Sequence, residues 1–192
     1  SERLKSNSFI SSDNDNIIQK KEIEPKYQLI NSKKNFEKIL SEIEKKGICA
    51  IDTETNSLNI EKAKLVGISI CYSENISYYI PINHTTSDGL KKIDNQLEEN
   101  YVINHINKIC KNESILKIGQ NIKYDIRILN KYGVTFNSIA DTMLISYSID
   151  NGIYKHNLDD LSFNHLNHTT IKYKEVVGTG KNEITFDKVT ID

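Results

Sequence analysis

Residues Ile48-Cys49-Ala50-Ile51-Asp52-Thr53-Glu54-Thr55 form a largely apolar stretch that ends in two carboxylates two positions apart. Side chains alternate across a β-strand, so Asp52 and Glu54 project to one face with Cβ atoms about 6–7 Å apart. Two acids held this close at a buried strand end repel each other and resist losing water. Either one takes up a proton or a cation sits between them. Hard divalent ions such as Mg2+ bind carboxylate oxygens, usually through one or two side chains completed by a substrate phosphate. The competing reading is an acidic strand terminus bathed in water. A third acid bears on that choice. Gly119-Gln120-Asn121-Ile122-Lys123-Tyr124-Asp125 runs from a strand end through a glycine into a helix, with Asn121 the predicted N-cap and Asp125 one turn further on. If the two strands are neighbours, Asp125 faces the Asp52/Glu54 pair across the sheet edge. A favourable charge at a helix N-terminus would also account for Asp125, but it leaves Gln120 and Asn121 without a role.

The elements that must position these residues follow from hydrophobic pattern and end signals. Ser32 can cap a helix over 33–46 with Phe36, Ile39, Leu40 and Ile43 on one face and Gly47 past its end. Three β-branched and aromatic runs, 48–54, 64–72 and 76–82, read as an antiparallel meander. A helix is predicted over 92–111, a short strand over 115–119 and a helix over 122–132 closed by Gly133. Helices over 142–149 and 158–166 come next, then a polar loop over 168–181 and a helix beginning at Phe186. Three consecutive strands followed by strand and helices in alternation indicate an α/β domain with a mixed sheet.

Composition bounds what the chain can be. It has 192 residues, 38% hydrophobic and 27% charged, which suits one domain and too little apolar material for a membrane protein. No apolar run approaches a bilayer span, and residues 1–5 are polar, so neither membrane insertion nor export is expected. Twenty-five basic against 26 acidic side chains leave a net charge of −1, so a nucleic-acid ligand would need a local patch or metal ions. Cys49, Cys71 and Cys110 have no zinc-site spacing and read as reduced, buried thiols in a cytoplasmic protein. Residues 1–26 lack a sustained period and are expected to be a linker or tail, with the domain occupying 27–192.

The two acidic segments resemble the first two motifs of the DEDD-type 3'-5' exonucleases. The likeness is closer to the proofreading domains of bacterial family A DNA polymerases. Asp52-Thr53-Glu54-Thr55-Asn56-Ser57-Leu58, Tyr79-Ile80-Pro81, Gly119 to Asp125, Asp141-Thr142-Met143-Leu144 and Gly178-Thr179-Gly180-Lys181-Asn182 occur in that family's order and spacing. The resemblance implies a ribonuclease H-like three-layer fold with a mixed central sheet flanked by helices. It implies that Asp52, Glu54 and Asp125 are three of four carboxylates holding two divalent ions, Mg2+ or alternatively Mn2+ or Zn2+. These ions would serve hydrolysis of the terminal phosphodiester. It further implies substrate contacts from Thr53, Leu58 (an apolar wedge against the terminal bases), Gln120, Asn121, Tyr173, Lys155 and His156. The implied partners are a single-stranded DNA 3' end and a polymerase domain of the same parent chain. The implied setting is the bacterial cytoplasm, at the nucleoid.

One departure from the pattern is plain. The family's third motif is Tyr-x-x-x-Asp, and none of the ten tyrosines has Asp four positions later, nor does any of the five histidines have Asp five later. By register the motif would fall beyond Asp192, so the chain is expected to be truncated before it, to bind metal poorly and to be slow or inactive. Two alternatives stay open: a non-catalytic exonuclease-like module, and an RNA-trimming enzyme of the ribonuclease D type.

Overall fold

The computed structural model describes residues 25–150 and 155–191. The expected linker lies almost wholly outside these residues. The described chain folds around a six-stranded mixed sheet in the order β1-β4-β3-β2-β5-β6. The elements are β1 (Lys26–Leu29), α1 (Lys33–Lys46), β2 (Ile48–Thr55), β3 (Leu65–Ser73), β4 (Ile76–Pro81), α2 (Glu99–Lys111), β5 (Leu116–Gly119), α3 (Lys123–Asn130), β6 (Ile139–Asp141), α4 (Thr142–Ile149), α5 (Leu158–Leu166) and α6 (Tyr173–Val177). Single 3-10 turns follow at Gly180–Asn182 and Phe186–Lys188.

The first helix forms as its end signals require. The Ser32 side chain accepts from Asn35 N–H, and Gly47, at φ 67°, donates its N–H to Ile43 O. Phe36, Ile39, Leu40 and Ile43 are its buried face. β2, β3 and β4 make the antiparallel meander. β5 adds parallel to β2 and β6 parallel to β5, while β1 pairs parallel with β4 at the opposite edge.

Alternation along β2 separates the two faces of the sheet. Cys49, Ile51 and Thr53 are buried, whereas Ile48, Ala50 and Asp52 are exposed. The closed face joins Ile51, Ile68, Ile70 and Ile80 to Phe36 and Ile43 of α1, Val102 and Ile106 of α2, and Ile128 and Leu129 of α3 in one core. Cys49 and Cys110 are buried, Cys71 is half-buried, and all three are free. The Phe186–Lys188 turn lies against β2. Among the described residues no helix is long and apolar enough to cross a membrane.

Four local expectations are corrected. The helix predicted from residue 92 starts at Glu99, because the polar residues before it bond the backbone in other ways. Lys92 bridges Thr85, the Gln96 amide brackets the backbone of His84, and Glu98 caps the helix through Asn100 and Tyr101 N–H. Asn121 is not the N-cap of α3. It adopts φ 55°, and the cap position falls on Ile122, which makes no side-chain cap bond. The predicted loop over 168–181 contains α6, one turn anchored by the buried Val177. The helix expected from Phe186 is a single 3-10 turn, after which Val189 is extended. The short strands β1 and β6, of four and three residues, carry no readable period and were not foreseen.

Candidate active site

Asp52 and Glu54 leave β2 on the face opposite to the main core, as the period-two rule requires. Asp125 reaches them from the first turn of α3. Its position follows from where β5 stops: the last β2–β5 pair is Ala50 with Ile118, and Thr53 lies beyond it. There the Thr53 N–H donates to Asp125 Oδ1 at 2.8 Å, and the Thr53 hydroxyl donates to the same oxygen at 2.6 Å. A carboxylate therefore takes the place of a strand carbonyl, between the positions of Asp52 and Glu54. Asp125 is 3% exposed and Thr53 6%, so the pair is sealed into the structure.

The turn before α3 is built for this placement. Gly119 is obligatory because a Cβ there would meet Ile122 Cγ1 at 2.7 Å. The helix start is capped from a distance: Asp141 accepts from Asn121 N–H (Oδ1, 3.0 Å) and Ile122 N–H (Oδ2, 3.1 Å). The same carboxylate caps α4 through Met143 N–H (2.9 Å) and Leu144 N–H (3.4 Å). Asp141 thus ties the two helix starts together with four backbone donors.

Electrostatics mark the three acids as neighbours. Asp52 stands on the open face of the sheet at the end of β2. Its surface reaches water, but the protein around it thins that water, and with the negative charges of Asp125 and Glu54 this pushes its carboxyl up to about 7. Glu54 is also raised, by burial and then by Asp125. Burial raises Asp125, opposed by the two hydrogen bonds from Thr53. A divalent cation would relieve this strain, and hard carboxylate oxygens are the donors it prefers. Among the described residues no three His, Cys, Asp or Glu side chains form a metal-holding group by themselves. The donors fit Mg2+ in kind, as the one or two carboxylates of a site completed by phosphate oxygens.

The other expected residues separate into groups. Leu58 stands 86% exposed on the loop after β2. That loop is held by Tyr124, whose hydroxyl donates to Ser57 O (3.0 Å) and shares a hydrogen bond with Thr55 Oγ1 (2.7 Å). Tyr173, 49% exposed, stacks on Phe186 with ring centroids 6.4 Å apart. Burial raises its phenol, with Glu54 the next cause, so the aromatic pair borders the acids. Gln120 is engaged within the protein, accepting from the Thr142 hydroxyl (2.6 Å) and donating to His156 O (2.7 Å). The His156 ring bonds Ser146 Oγ at 2.9 Å and packs edge-on to Tyr147. Asn121 and Lys155 are exposed. Thr53 commits its hydroxyl to Asp125.

The sequence reading assigns no individual role to Asp141 or Tyr124. For Asp141 a signal existed, since Asp directly before the apolar run Thr142–Ile149 is an N-cap pattern. Tyr124 had none, because its partners lie 67 and 69 positions away.

Comparison with known proteins adds an independent line. Residues 27–191 match the family model described as 3'-5' exonuclease. DNA polymerase I of Rhizobium leguminosarum is 40% identical over 159 residues, covering 76% of this chain and 16% of that protein. DNA polymerase I of Pseudomonas aeruginosa is 30% identical over 169 residues, covering 86% of this chain and 18% of that protein. The chain therefore spans under a fifth of the length of these curated relatives. Among solved structures, Brucella melitensis NrnC with bound Mg2+ superposes with a TM-score of 0.56 at 20% identity, covering 78% of this chain and 65% of that one. At that identity the likeness is one of fold.

Proposed function

The chain belongs to the family of 3'-5' exonuclease domains of DNA polymerase I, and from that premise we propose that residues 27–192 form a proofreading domain that hydrolyses the 3'-terminal phosphodiester of single-stranded or mispaired DNA. The observation that carries this reading is the seat of Asp125 on the N–H and hydroxyl of Thr53, between Asp52 and Glu54. Three acids from two distant segments are thereby held at the end of one strand.

In this reading Asp52, Glu54 and Asp125 hold divalent ions, Mg2+ foremost. When bound, these supply an activated water and offset the charge that develops on the phosphate. The chain's own residues do the rest. Thr53 and Asp141 fix the reach of Asp125. Leu58 offers an exposed apolar edge to the terminal bases, and Tyr173 with Phe186 offers a flat aromatic face. Such contacts accept any base, because every base has a π-face. Asn121, Lys155 and His156 lie where polar contacts to the terminal nucleotide and its backbone are drawn by the family pattern, with Gln120 bracing the helix starts behind them. We assign the domain to a longer polymerase working on DNA in the bacterial cytoplasm, at the nucleoid.

The residues at hand supply three acids and no Tyr-x-x-x-Asp. With three ligands the metal affinity of the 192-residue chain is expected to be low and its turnover slow. The test is trimming of a 5'-labelled single-stranded oligonucleotide with Mg2+ or Mn2+, in parent and Asp52→Ala proteins. Slow 3'-5' shortening that Asp52→Ala abolishes supports the reading. Equal behaviour of the two would instead support a non-catalytic module, and faster trimming of a matched RNA would support the RNA-directed alternative.

A further inference from the structure

His84 is 1% exposed and bonds none of the three acids, and both of its ring nitrogens are engaged. Nδ1 meets Val189 O at 3.1 Å and Nε2 meets the Tyr79 hydroxyl at 2.6 Å. A carbonyl oxygen can only accept, so Nδ1 carries the proton and donates, leaving Nε2 to accept from Tyr79. The backbone of His84 is itself gripped by Gln96, which accepts from its N–H (2.8 Å) and donates to its carbonyl (3.0 Å). The next residue extends the grip, Thr85 N–H donating to Asp187 O at 2.7 Å.

Tyr79 is fixed just as firmly. Gly67 lies beneath its ring, where a Cβ would come within 2.1 Å of the phenolic oxygen, so the ring can cross the sheet only over a glycine. What this assembly holds is the segment 186–189. Phe186 packs on the His84 ring with centroids 5.9 Å apart, and Tyr173 stacks on Phe186 at an interplanar angle of 15°. Tyr79, His84, Phe186, Val189 and Glu54 line one cavity of about 510 Å³.

We propose that His84, held by Tyr79, is a positioning residue: it clamps residues 186–189 across the open face of the sheet and so sets the Tyr173–Phe186 stack at the place where the terminal base of a single strand lies. The proposal rests on the nuclease reading above and adds to it the origin of the base platform. A histidine that merely satisfied the core would leave nucleotide binding untouched once the protein is folded.

A double-mutant cycle separates the two. The affinity of the 192-residue chain for a 5'-fluorescein oligo-dT with a free 3' hydroxyl is measured by anisotropy, with Ca2+ present to suppress hydrolysis. His84→Ala and Tyr173→Ala should each weaken binding by about tenfold, the scale of losing one base–aromatic stack. The double variant should be no weaker than Tyr173→Ala alone, whereas Leu58→Ala should combine multiplicatively with His84→Ala. Tyr79→Phe, which removes only a hydroxyl, should weaken binding less and show the same coupling to Tyr173, and it replaces His84→Ala in the cycle if that variant does not fold. Multiplicative losses for His84 and Tyr173, or unchanged affinity in His84→Ala, would overturn the positioning role while leaving the nuclease reading standing. Absence of oligonucleotide binding by the unaltered chain would overturn both.

Discussion

Replacing Thr53 by Val probes the hinge of the site with little change in volume. The substitution deletes the hydroxyl that donates to Asp125 Oδ1 at 2.6 Å and keeps the backbone N–H at 2.8 Å. A buried hydrogen bond to an ionised acceptor contributes about 1.5–3 kcal/mol. The remaining N–H bond and the added methyl hold the cost to the lower part of that range, about 2 kcal/mol. For a domain of this size that corresponds to a fall in Tm of roughly 4–8 °C. Asp125 should also become harder to ionise, because the hydroxyl is one of the bonds that lower its pKa against burial. Mg2+ should therefore raise the Tm of Thr53→Val less than that of the parent at neutral pH, and Thr53→Ser should restore both properties. The assay is thermal unfolding followed by circular dichroism across a Mg2+ series. A Val variant that melts with the parent and responds equally to Mg2+ would refute the claim that Thr53 sets the position and charge of Asp125.

Two further outcomes follow from the same geometry. Asp141→Ala should strip the partners from Asn121, Ile122, Met143 and Leu144 N–H and cost about 2 kcal/mol, the upper end for a lost cap. Hydrogen exchange should then quicken at those amides and not in β2–β4, and uniform protection at all of them would contradict the double-cap role. In the metal-free chain the folded-state pKa of Asp52, about 7, stands above its ordinary 3.8, so the folded state binds more protons between those values. Its contribution is full below about pH 4 and is lost as pH rises towards 7, and Glu54 and Asp125 act in the same direction. The Tm without divalent ions should decline over that window and the decline should shrink with Mg2+. A Tm that climbs through it in the absence of divalent ions would show that the acids do not crowd one another.

Elements governed by neighbouring residues were legible. Ser32 and Gly47 bracket α1 as their cap chemistry predicts, and the period-two pattern of 48–54 puts Asp52 and Glu54 on one face. Misreadings arose where polar side chains bond the backbone from afar. Gln96, bonding the backbone of His84 twelve positions away, holds 92–98 out of the helix, and Asp141, twenty positions away, does the capping expected of Asn121. β1 exists because β4 offers it an edge, which four mostly exposed residues cannot announce.

The amino-acid order alone determined which side chains were chemically eligible: two acids at one strand end, a third in a helix's first turn, and the family pattern they spell. Only the tertiary structure decided that Asp125 seats on the N–H and hydroxyl of Thr53, between the positions of the other two. That outcome depends on β5 pairing parallel to β2 and stopping at Gly119, so that a Thr53 N–H left without a strand partner is taken by a carboxylate 72 positions away. Short-range patterns record torsional preference and burial, which act within a few residues. Contact across the sheet is set by which strand edges and backbone donors remain unpaired once all the elements have packed.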